Sequence, residues 1–317
     1  MSLIPLGCAG GIAAAFNTPL AAIVFAFEEI MGDLKHRAFA GIVMVAVIAA
    51  VIERSLLGPN SIFQVPPHPD SHALGTLVLG LLAGLVSHAF VEELLVVREG
   101  VKLIRGRYDW MMPGVGGSTT GVIGAAIFAS WGNLGVFGIV YSDLSAALFG
   151  SPGLALLVVL LIGKFAATVF SYASGGAGRI FAPTLVIGAM LGGIVGSLAD
   201  LVGSQSSSMP SALALVGMGA MFAGTIRAPV TSILTIFELT GDYALILPIM
   251  AANLSSYAIA TKLRRVPIYE ALLLQDGINL RKFPILRPDR GWQNLPVSTI
   301  MTNTVRTLEA RLPLGRA

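Results

Sequence analysis

Eight apolar stretches, near residues 3–27, 38–57, 73–97, 114–130, 153–173, 181–203, 211–239 and 243–261, constrain this chain more than any motif in it. At 1.5 Å per residue, about 20 residues carry a helix across the hydrocarbon core of a bilayer, and most of the stretches are that long. None alternates with a period of two, which excludes a closed β-barrel. The whole chain is 55% hydrophobic and only 12% charged, roughly half the charge fraction of a soluble domain. The expected class is therefore all-α: a polytopic membrane protein whose first partner is the lipid bilayer.

Charge placement predicts how the segments alternate. Lys and Arg cluster at 35–37, 98–107, 262–265 and 281–290, which assigns those stretches to the cytoplasm, whereas 58–72 and 131–152 carry neither and belong outside. The net charge of +3 is thus topology, and nothing in it suggests a nucleic acid partner. The opening segment lacks the basic flank of a signal peptide. The single cysteine, Cys8, sits among small residues and reads as helix packing. His36, His68 and His72 flank apolar segments, His88 stands alone, and no H-E-x-x-H occurs, so neither an intramembrane hydrolase nor a metal site is expected. The chain is not read as an enzyme.

Compared with itself, the sequence repeats. "AAAFNTPLAAIVFAFEE" (13–29) aligns with "AGTIRAPVTSILTIFEL" (223–239), so that Pro19 meets Pro229, Ile23 meets Ile233, Phe27 meets Phe237 and Glu28 meets Glu238. Each copy runs from small residues through a short polar break to a proline near a helix start, then an apolar run and an acid. Repeated halves with interrupted helices are the mark of secondary transporters and related channels, with the site between the halves. The second copy is preceded by a Gly-rich break, "SGGAGRIFAPTLVIG" (174–188), whose counterpart would fall before Met1. The reading expects a fragment or a misassigned start.

In that break, glycines 175, 176 and 178 open backbone geometry closed to other residues, and Pro183 suits a first helical turn. Two readings stand. The loop either permits a tight turn and no more, or it presents the unsatisfied N–H groups and positive dipole end of the next helix to an anion, with Arg179 adding charge. Within a repeat of broken helices the anion reading gains weight, because neutral dipolar coordination allows fast release.

These residues resemble a known family. "AAAFNTPLAAIVFAFEE", "SGGAGRIFAP" and "GMGAMFAGTIRAPVTSILTIFELTGDYALILPIM" are similar to the CLC chloride channels and chloride/proton antiporters, over about residues 7–276. The resemblance implies an inverted repeat of tilted and broken helices, a homodimer with one pore per subunit, chloride and protons as the transported ions, and no cofactor. It also implies that Ile180 and Phe181 offer backbone N–H groups to chloride, with Gly178 in the same break, and that the hydroxyl of Tyr269 in "VPIYEALL" reaches the same ion. Without it, Tyr269 would read as an interfacial aromatic after "KLRR". Two stretches of the family, Gly-Ser-Gly-Ile-Pro and Gly-Arg-Glu-Gly-Pro, do not occur in this sequence, and Arg179 stands where the family usually has a small residue. The implied setting is a bacterial inner (plasma) membrane with a cytoplasmic C-terminal tail.

Glu28 and Glu29 are expected to differ in role, because successive helical residues point about 100° apart. Glu28 has a mirror in Glu238, so both read as structural acids bonded to nearby backbone or polar groups. Glu29 aligns with Leu239 and breaks the symmetry. On its own it is open between a solvated interfacial acid near Lys35 and Arg37 and a functional carboxylate. By resemblance it matches the internal proton-transfer glutamate of the antiporters, where channel members carry an apolar residue. Chloride/proton exchange is the leading reading; a passive anion channel and a non-functional fragment are the alternatives.

Three regions are expected: a membrane domain over 1–276, a cytoplasmic linker over 277–295, and residues 296–317, where "LPVSTIMTNTVRTL" resembles the opening of a CBS domain. An adenine nucleotide would need a complete CBS pair, which 22 residues cannot supply.

Overall fold

A computed structural model describes residues 3–31, 38–58, 73–104, 110–133, 135–137, 153–176, 180–201 and 209–278. Gly178, Arg179, Lys35, Arg37 and the whole of 279–317 lie outside the described residues, and with them the expected linker beyond Ile278 and the CBS-like segment.

The described residues are mostly helical, with no strand among them. In order, the helices are α1 (Leu3–Phe16), α2 (Pro19–Phe25), α3 (Phe39–Leu57), α4 (Ala73–Ile104), α5 (Met112–Trp131), α6 (Leu154–Ala173), α7 (Phe181–Leu201), α8 (Met209–Ile226), α9 (Pro229–Thr240), α10 (Ile246–Leu263) and α11 (Ile268–Gln275). A π-helical turn over Ala26–Met31 continues α2 and carries both Glu28 and Glu29. Six spans among the described residues are long and apolar enough to cross a membrane, and the chain is a multi-pass membrane protein.

Two of the apolar stretches are interrupted at the polar breaks of the repeat. The stretches 3–27 and 211–239 are each two helices, parted at Asn17–Thr18 and at Arg227–Ala228. Asn17 (φ 51°) and Arg227 (φ 70°) are, among the described residues, the two non-glycine positions with left-handed backbone, and they occupy equivalent places in the repeat. Asparagine visits this region with little cost, and here its Oδ1 accepts from Arg54 Nε at 2.8 Å. The proline two residues on then restarts the helix with a preset φ.

The core forms around α7. Of its span, 72% is buried, against 11% for α5. The α7–α8 crossing is close because it is made of glycine: a Cβ on Gly188 would run into the carbonyl oxygen of Gly217, and one on Gly192 into that of Leu213. In lipid, where no hydrophobic force draws helices together, such backbone approach supplies the attraction through van der Waals contact. Outward-facing side chains such as Val51, Leu81, Val122 and Ile162 remain exposed, a surface suited to acyl chains.

Candidate functional site

The first turn of α7 lies where the two repeat copies meet. The ring of Phe181 packs against Phe16 at the end of α1 (4.8 Å between centroids), Phe25 in α2 (5.8 Å) and Phe222 in α8 (4.6 Å). Ile180 and Phe181 are 3% and 8% exposed. The first intrahelical bond runs from Thr184 N to Ile180 O at 3.1 Å, so the N–H groups of Ile180, Phe181 and Ala182 precede the ladder, and Pro183 has none. Backbone dipoles enclosed by apolar rings can hold an anion without a fixed ion pair. Tyr269, the second residue of α11, packs against both the core cluster containing Phe181 and the one containing Ile180. Phe181 and Tyr269 thus pack into one buried cluster from distant parts of the chain.

The two helix restarts are capped in an unexpected way. Thr18 makes no side-chain cap bond, and Ala228 has no group to make one. The acids of the opposite copies serve instead. Glu238 accepts from the N–H groups of Leu20 (3.0 Å) and Ala21 (2.8 Å), and Glu28 accepts from those of Val230 (3.2 Å) and Thr231 (2.8 Å) and from the Thr231 hydroxyl (2.8 Å). Both carboxylates meet the second and third N–H groups of a helix whose first residue is proline, where capping acceptors are strongest.

Glu29 is half-buried and makes neither of these contacts. The charged groups acting on it are Glu28, Arg227 and Glu270, and it lies within electrostatic reach of the Tyr269 hydroxyl, as do Tyr172 and Cys8. The proton candidate and the anion candidate therefore share one neighbourhood. Lys35 and Arg37, its sequence neighbours, lie outside the described residues.

Arg227 was not singled out from sequence. Its guanidinium donates to the carbonyls of Arg265 (2.8 Å), Ala260 (3.1 Å) and Arg264, closing the C-terminal end of α10, where carbonyls lack partners and cations are favoured. The available signal was an arginine in the polar break of an otherwise apolar repeat. Equally unread were Arg98 and Lys102, on the part of α4 that runs past residue 97. Arg98 donates to both carboxylate oxygens of Asp276 and Lys102 to one, while Gln275 Nε2 donates to Leu95 O. Together they fasten the end of α11, and hence Tyr269, to α4. Among the described residues no group of three His, Cys, Asp or Glu could hold a metal ion.

The sequence matches the family described as voltage gated chloride channel over residues 1–261. It is 34% identical to an H(+)/Cl(-) exchange transporter, ClcA, of Vibrio parahaemolyticus, covering 86% of this chain and 59% of that protein. It is 33% identical to the chloride channel protein CLC-f of Arabidopsis thaliana, covering 80% of this chain and 34% of that one. Among solved structures, a slow cyanobacterial Cl-/H+ antiporter superposes with a TM-score of 0.77 at 27% identity, over 87% of this chain and 64% of the other. The chain thus spans about three fifths of the length of the bacterial relative.

Proposed function

The chain belongs to the voltage-gated chloride channel family, and from that premise we propose that it moves chloride across a membrane in exchange for protons. In this reading the N–H groups of Ile180 and Phe181, with Gly178 of the same Gly-rich stretch and the Tyr269 hydroxyl, bind the anion, and Glu29 relays the proton. The observation that carries it is the separation of the two adjacent acids. Glu28 is committed to capping α9, whereas its neighbour is half-buried, makes none of those capping bonds and lies within electrostatic range of Tyr269 and Arg227. A carboxylate with no capping duty, within reach of the anion-site tyrosine, can exchange a proton without unfastening the fold. The bacterial relative's name, an H(+)/Cl(-) exchange transporter, supports the same chemistry. The ions are the substrates and no cofactor is required. A homodimer in a bacterial inner membrane, with the tail cytoplasmic and a CBS domain beginning at 296–317, completes the proposal.

Reconstitution in liposomes tests it. Glu29→Gln keeps chloride flux and loses coupled proton movement; unchanged proton coupling rejects the role. The plant relative's name favours a second reading, a passive anion channel, in which the unmodified chain moves chloride with no proton at all.

A further inference from the structure

A small cavity lies where α4, α8 and α10 meet, lined in part by Ser87, His88, Gly224, Thr225, Arg227 and Arg264. Thr225 is 1% exposed, and its hydroxyl has no hydrogen-bond partner among the described residues. Two further buried atoms of the lining residues share that condition, His88 Nδ1 and Arg264 Nε. His88 Nδ1 stands 3.9 Å from Glu92, beyond hydrogen-bond reach, and Arg264 pairs with Glu92 through Nη1, which leaves Nε uncommitted. A hydroxyl, an imidazole nitrogen and a guanidinium N–H left dry would each cost free energy in an apolar interior. The space that water can occupy in it is about 10 Å³, room for one water, and a stable internal water needs two to four polar partners.

We propose that this cavity is a binding site for a single resident water bridging Thr225, His88 and Arg264. The water accepts from Arg264 Nε–H, and its remaining hydrogen bonds go to the Thr225 hydroxyl and His88 Nδ1. Thr225 stands two residues before Arg227, whose left-handed backbone restarts the helix toward α9. The bridge ties that break to α4 and α10, so Thr225 and His88 are positioning residues for Arg227.

The sign of a stability change tests the water. In the full-length chain in detergent, Thr225→Val keeps the side-chain shape and deletes the hydroxyl, while Thr225→Ser keeps the hydroxyl. A bridging water makes Thr225→Val lower the unfolding midpoint and Thr225→Ser retain it. A dry cavity makes Thr225→Val neutral or stabilising, because an unpaired hydroxyl has been removed, and that outcome overturns the site. Backbone hydrogen exchange over residues 225–231 reads the positioning role: faster in Thr225→Val than in Thr225→Ser, with equal rates rejecting it. If the Thr225→Val loss appears only in chloride-containing buffer, the occupant is an anion and the water assignment fails. None of these readouts depends on transport, so they stand or fall separately from the exchange reading.

Discussion

Glu28 and Glu238 cap each other's helices: each acid, one at the end of its own repeat copy, reaches the second and third N–H groups at the start of the other copy's helix. The repeat is therefore an interlock as well as a duplication. Neither α2 nor α9 has a local N-cap bond, so each start depends on the other half of the molecule.

Removing either acid should loosen both halves. Glu28→Ala deletes three accepted bonds and Glu238→Ala two, so Glu28→Ala is expected to be the costlier. Charge-assisted bonds to orphan N–H groups set the scale at about 2–3 kcal/mol each variant. Gln variants, which keep an acceptor oxygen, should lose less. Thermal unfolding in detergent orders the four.

Arg227→Lys should not be conservative. One ammonium on a flexible stem cannot reproduce a planar fork that meets three carbonyls at the end of α10. The expected loss is about 1–3 kcal/mol in unfolding free energy, together with weaker proton coupling in liposomes, since Arg227 is a charged neighbour of Glu29.

Gly192→Leu should prevent folding, while Gly193→Ala should be tolerated. A side chain at 192 meets the backbone of Leu213 and Ala214, which cannot retreat, whereas a Cβ at 193 meets only the Leu157 side chain, at 3.2 Å. Monodispersity on size exclusion separates the two.

Asp276, outside the membrane spans, is held below the usual carboxylate range by its hydrogen bonds to Lys102 and Arg98. A depressed pKa contributes stability above the unfolded value, near 4, which is lost as pH falls through the folded value. Asp276→Asn should therefore lower stability at neutral pH and match the unmodified chain once both are acidified below that window. Raised salt should shrink the neutral-pH difference, because the pair is partly exposed. Unfolding midpoints against pH and salt measure it.

Local chemistry was readable from the residues alone. Apolar runs of membrane length, the positions of Pro19 and Pro229, the broken repeat and the unequal status of Glu28 and Glu29 all follow from spacing and side-chain type, because the bilayer penalises any unpaired backbone and so permits few forms. Tertiary structure decided what lay beyond the reach of spacing. The polar breaks took left-handed backbone at Asn17 and Arg227, the acids crossed to the opposite copy, and Arg98 and Lys102 gained Asp276 as a partner some 175 residues on. Sequence marks which groups need a hydrogen-bond partner; which distant group satisfies that need depends on how the helices pack, and here the packing of α2 against α9 lets each copy's acid reach the other's helix start.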